Sequence, residues 1–190
     1  MSAEITPNLL LRLTALGVLT VITQIAAVSQ IDVLGANADL TPLVVAFAAF
    51  LCGSLPGAVY GFFVGLFLDL ALVQTLGVNS LILVGVGYGA GRVRELRDPQ
   101  GALVPVVIGA GATAVSTIGF SIMQFMLGVD APVSWELLGD IVVTIAINSL
   151  ISVPVFALVR RWLTPALPED PRRRRRRAYT TGGLSPLSRS

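Results

Sequence analysis

The residues best placed to do chemistry lie in one stretch, Gly57-Ala58-Val59-Tyr60-Gly61-Phe62-Phe63-Val64-Gly65-Leu66-Phe67-Leu68-Asp69. Gly57, Gly61 and Gly65 recur at every fourth position, so on a helix they form one flat strip that another backbone can approach closely. Asp69 continues the strip one step further. A carboxylate inside a membrane span costs on the order of 2.5–3.5 kcal/mol, which turns it toward protein or a water-filled cavity. Two roles suit Asp69: a coupling or recognition acid, or an acid that pins its helix by accepting hydrogen bonds from groups around Asn79 and Ser80. The glycine strip also reads two ways, as internal packing of a tight bundle or as a groove for a partner helix. Gly85, Gly87, Gly89 and Gly91 make a second strip, and Gly109, Gly111, Ala112, Thr113 and Ser116 a softer third.

Other chemistries find no residues. The chain has no His and a single Cys, Cys52, inside an apolar run, which removes thiolate clusters, internal disulfides and the usual general base. There is no HExxH, GxSxG or phosphate loop, and no pair of acids that must share one helix face, so no catalytic residue, metal or cofactor is expected. Gln24, Gln124 and Asn148 fall within apolar runs and suit interhelical hydrogen bonds or the lining of a small pocket. Asp32, Asp39, Asp130 and Glu136 read as solvated loop acids.

The elements that position these residues follow from composition. Of 190 residues 54% are hydrophobic and 13% charged, far from the roughly 25% charge of a soluble domain. Apolar runs long enough for a slab about 30 Å thick predict an all-α polytopic membrane protein. The expected spans are 8–30, 41–55, 57–74, 77–91, 102–127 and 137–163, with a first span too long for a typical signal-peptide core. Residues 40–91 carry only Asp69 as a charge and run from an acidic loop to Arg92, Arg94 and Arg97, so they cross an odd number of times. Three short crossings, broken around 53–57 and 76–79, fit better than one crossing with a re-entrant hairpin. With six spans and both termini cytoplasmic, all 13 Arg fall on the inner side. Trp135 and Trp162 bracket the last span at the two interfaces, and Pro154 predicts a kink in it.

Residues 1–163 thus form the bundle, and 164–190 a disordered, Arg-rich cytoplasmic tail. Arg172, Arg173, Arg174, Arg175, Arg176 and Arg177 suit anionic lipid or an acidic partner, or serve only to hold the C-terminus inside. No aromatic interleaves the run, so nucleic acid is not an expected partner.

The motif Gly61-Phe62-Phe63-Val64-Gly65-Leu66-Phe67-Leu68-Asp69, followed by Leu76-Gly77-Val78-Asn79-Ser80-Leu81 and a basic segment from Arg92, resembles the MreD rod-shape-determining family. The resemblance implies a non-enzymatic membrane subunit of the bacterial elongation and peptidoglycan-synthesis machinery, in the cytoplasmic membrane. Its implied partners are MreC, a single-span protein with a large outer domain, and beyond it MreB, RodA and a penicillin-binding transpeptidase. It places Gly61, Gly65, Leu66, Asp69 and Gly77 at positions that serve either folding or partner contact, and the four-residue spacing adds Gly57 to the same helix-packing or partner interface. The long Arg-rich tail departs from the family pattern, so its role does not carry over. The same glycine and acid pattern is similar to the six-helix substrate-binding subunits of energy-coupling-factor vitamin transporters. That alternative implies an outward cavity lined by Gln24, Asp69, Asn79 and Gln124.

Overall fold

The structure, a computed structural model, describes residues 6–26, 32–33, 36–37, 39–96, 101, 103–128 and 135–167. Among these residues six α-helices follow one another: α1 (Pro7–Ala26), α2 (Leu40–Cys52), α3 (Ser54–Ala71), α4 (Val78–Leu96), α5 (Val104–Met126) and α6 (Trp135–Leu163). A two-residue antiparallel pair, Asp32–Val33 with Ala36–Asn37, lies between α1 and α2, and a 3-10 turn, Thr164–Ala166, ends the described chain. Helices are what these sequences must form in hydrocarbon, where each backbone N–H and C=O needs a partner within its own segment. By length and composition α1, α3, α5 and the stretch Gly139–Ala166 are able to cross a membrane.

α2 is the axle of the bundle. It is only 13 residues long, about 20 Å at 1.5 Å per residue, and it contacts all five other helices. Leu43, Val45, Ala46, Phe47, Ala48 and Ala49 expose no surface at all. The Phe47 ring meets Phe156 of α6 edge to face at 5.2 Å. Its ends are met by polar groups from neighbouring segments, Gln24 and Asp39 at the start and Arg94 at the finish.

Several boundaries differ from the sequence reading, each for a local reason. The expected break over 53–57 is a single residue, Gly53, at φ +108°; Ser54 and Pro56 already belong to the first turn of α3, where proline's missing N–H is harmless. The basic segment Arg92 to Leu96 is no loop but the last turn of α4, held in place by its contacts with the α2–α3 corner. The last span is one helix, as expected, with Pro154 inside it. Ala166 and Leu167, in the expected tail, lean on the apolar core. Residues 168–190, with the arginines 172–177, lie outside the described residues, as do Arg97, Asp130 and 27–31.

Candidate functional site: the glycine hairpin and its polar ends

α3 and α4 lie antiparallel, and their glycines set the spacing. A Cβ on Gly57 would sit 2.8 Å from the Gly87 carbonyl oxygen, one on Gly61 would fall on the Leu83 carbonyl, and one on Gly65 would come 2.5 Å from Ser80 Cα. Gly87 and Gly91 answer from the other side, against the backbones of Gly57 and Ser54. The contact steps four residues up one helix as it steps about four down the other. Backbones thus touch along the full hairpin, close enough for dispersion contact that no side chain interrupts. Gly85 and Gly89, on the same helix, face open space. Leu66 is half-buried beside the seam.

Asp69 closes the far end of this hairpin. It has no exposed surface; Oδ2 accepts from the Gly77 backbone N–H at 2.7 Å, and Oδ1 from the Asn79 side-chain and backbone N–H groups at 2.8 and 3.3 Å. Its own carbonyl accepts from Gln74 N–H at 3.0 Å. Gly77 adopts φ +96°, which favours glycine although a Cβ there would meet nothing. The carboxylate therefore gathers donors at the start of α4, as a helix-pinning acid would.

The two ends of α2 are the second polar system. At the end near the turn, Asp39 caps the helix by accepting from Thr41 N–H at 3.1 Å. Gln24 of α1 accepts from Leu40 N–H at 2.9 Å. Asn148 of α6, fully buried, accepts from Asp39 N–H at 3.2 Å and donates to the Asp39 carbonyl and to Thr113 Oγ1 of α5 at 2.9 and 3.0 Å. Asp39 is thus not the solvated loop acid expected: burial pushes its carboxyl up to about 6 against the pull of its bond from Thr41. At the other end Glu95 accepts from Ser54 N–H and Oγ–H at 2.9 and 2.8 Å, which holds its carboxyl below the ordinary range. Arg94 donates to the Leu51 carbonyl, and Arg92 pairs with Glu95 at 3.6 Å.

These positions do not make the ligand cavity that the transporter alternative needs. Asp69 and Asn79 bond to each other, Gln24 turns to α2, and Gln124 lines a separate cleft of about 230 Å³ with Gln74 and Phe120. A larger apolar groove, about 420 Å³, runs between α1 and α3. Among the described residues no group of acids or cysteines is placed to hold a metal ion.

The family model described as rod shape-determining protein MreD matches residues 6–163, from the start of α1 to the end of α6. The chain belongs to the MreD family. No curated protein and no solved structure matches it. Membership of the MreD family gives the chain a role in determining rod shape, as part of the rod-shape machinery. The hairpin, the Asp69 turn and both capped ends of α2 fall inside the MreD match. Sequence reasoning missed Asp39 and Glu95. Their signal was available only as an acid directly before an apolar helix and an acid among arginines.

Proposed function

We propose that the chain is a non-enzymatic scaffold of the cell-elongation machinery in the bacterial cytoplasmic membrane, binding an MreC-like single-span protein beside RodA, a penicillin-binding transpeptidase and MreB. The observation that carries this reading is the groove between α1 and α3. Leu13, Gly17, Val59, Tyr60, Phe63 and Phe67 line it, and Val59 and Phe63 are exposed on it. It is a concavity in an apolar surface, while the neighbouring glycine hairpin is already filled by its own two backbones. A single convex helix fits such a hollow. A second copy of the chain, meeting it groove to groove, leaves it unfilled.

The test is purification of the intact protein from its own membranes, wild type and Val59→Trp, with identification of co-purifying proteins and small molecules. Val59 is half exposed, so the larger ring fills the groove without entering the core. The scaffold reading expects a single-span protein with a large outer domain, retained by wild type and lost from Val59→Trp. ATPase subunits or a stoichiometric vitamin would instead make the chain a transporter subunit.

A further inference from the structure

The first and last helices are joined at one end by a reciprocal pair. Arg12 Nη1 donates to the Trp162 carbonyl at 2.7 Å, and the Trp162 indole Nε1 donates to the Arg12 carbonyl at 3.2 Å. Arg160 and Arg161 precede Trp162 in the last turn of α6, and both are exposed, with Trp162 itself 45% exposed. Among the described residues the one ion pair is Arg92 with Glu95, so Arg12, Arg160 and Arg161 meet no carboxylate there. Arg12 is thus bonded to the backbone of a half-exposed Trp162, and the exposed Arg161 precedes that indole on the same helix turn, where two spanning helices reach the membrane surface.

We propose that this clasp binds the phosphate of an anionic phospholipid, with Arg12 and Arg161 as its donors and Trp162 as the seat for the glycerol and upper acyl region. Guanidinium suits the task because its planar fork matches phosphate oxygens. Arg12 spends one N–H on the Trp162 carbonyl and keeps its other donors free, already fixed in place, which lowers the cost of ordering on binding. An indole prefers the boundary between hydrocarbon and headgroup. The last carbonyls of a helix repel anions, but here Arg12 covers that of Trp162 and the Thr164 hydroxyl that of Arg160. A lipid held this way bridges α1 to α6 and secures α1 to the bundle.

The chain contains two Trp, so Trp135→Phe leaves Trp162 as the only indole reporter. The full-length variant is placed in vesicles holding equal mole fractions of brominated phosphatidylglycerol or brominated phosphatidylcholine, and quenching of Trp162 is compared. The phosphatidylglycerol is expected to quench several times more strongly. Arg161→Gln should cut that preference roughly fivefold, the factor given by about 1 kcal/mol per basic residue at the surface. Arg12→Gln should cut it too and loosen α1. Replacing Arg172–177 by Gln should leave it standing, which separates the clasp from the tail. Equal quenching by both lipids, a preference lost with the tail arginines alone, or one abolished by inorganic phosphate would overturn the proposal. The Arg161 side chain is exposed and makes no hydrogen bond or ion pair among the described residues, so a loss of preference in its variant does not come from misfolding.

Discussion

Single acids decide how this bundle's ends are tied, and they titrate in opposite senses. Glu95 is held below its ordinary value of 4.5 by bonds from Ser54, so its stabilisation is complete above pH 4.5 and is lost as pH falls through its folded value. Asp39 is raised from 3.8 to about 6, so the fold binds its proton more tightly than the unfolded chain and loses stability as pH rises from about 3.8 to about 6. Melting in detergent across pH 3.5 to 7 should show both slopes (about one step of resolution per half unit suffices). Asp39→Asn is expected to keep the acceptor for Thr41 and flatten the upper slope, and Glu95→Gln to flatten the lower. An unchanged pH profile in either variant would refute the corresponding assignment. For Asp69 the expectation is a loss of about 1–3 kcal/mol in Asp69→Asn, because an amide NH2 then faces the donor of Gly77 or Asn79. A variant that melts with the wild type would remove the pinning role and return Asp69 to the ranks of coupling acids. Asp69 was legible in the sequence because a lone charge in a long apolar run stands out and a turn follows it. Asp39 was legible at most as a cap for Thr41, because the contact that draws its backbone into the bundle comes from Asn148, 109 residues away.

At the scale of elements, the α3–α4 hairpin shows what glycine spacing states and what it leaves out. Spacing by four puts Gly57, Gly61 and Gly65 on one face, and the structure lays that face on α4. It puts Gly85 and Gly89 on one face equally well, yet theirs is open and that of Gly87 and Gly91 is closed. Periodicity gives a face; only the partner helix says which face is used. The central place of α2 was equally hidden, since a helix apolar on every side suits a lipid-facing span as well as a buried one, and only its shortness hints that neighbours must cap it. The seam predicts a graded series. Gly61→Ala drives a methyl into the Leu83 carbonyl and should cost about 1–3 kcal/mol, as overpacking does, with Gly61→Leu worse. Gly85→Ala should cost nothing and slightly stabilise α4, because alanine is the better helix former and nothing lies near its Cβ. Thermal melting of the purified variants checks the order, and a Gly85→Ala variant as damaged as Gly61→Ala would mean that α4 is rotated from the position described.

Over the whole molecule, charge is sorted along the bundle axis, and this sorting predicts orientation. α1 and α6 meet at Arg12 and Trp162, while the α2–α3 corner meets the end of α4 at Glu95 and Arg94. The start of α1 also lines a groove with Pro56 at the start of α3, so these corners belong to one end. Arg12, Arg92, Arg94, Arg160 and Arg161 therefore share it, and Asp39, Asp69 and Asp140 lie toward the other, with Glu95 the exception. Since arginine-bearing ends stay in the cytoplasm during insertion, the Asp69 turn should face outward. Cys52, 4% exposed, gives little background, which allows single-cysteine labelling of intact cells. Thr75→Cys, on the exposed α3–α4 turn, should react with a membrane-impermeant maleimide, and Val93→Cys, on the last turn of α4, only after permeabilisation. Reversed accessibility would invert the topology and move the proposed lipid clasp to the outer leaflet. Labelling of both sites in intact cells would mean that α4 does not separate its ends across the membrane. The packed hairpin could then still fold as described, but the odd number of crossings inferred for residues 40–91 would be wrong.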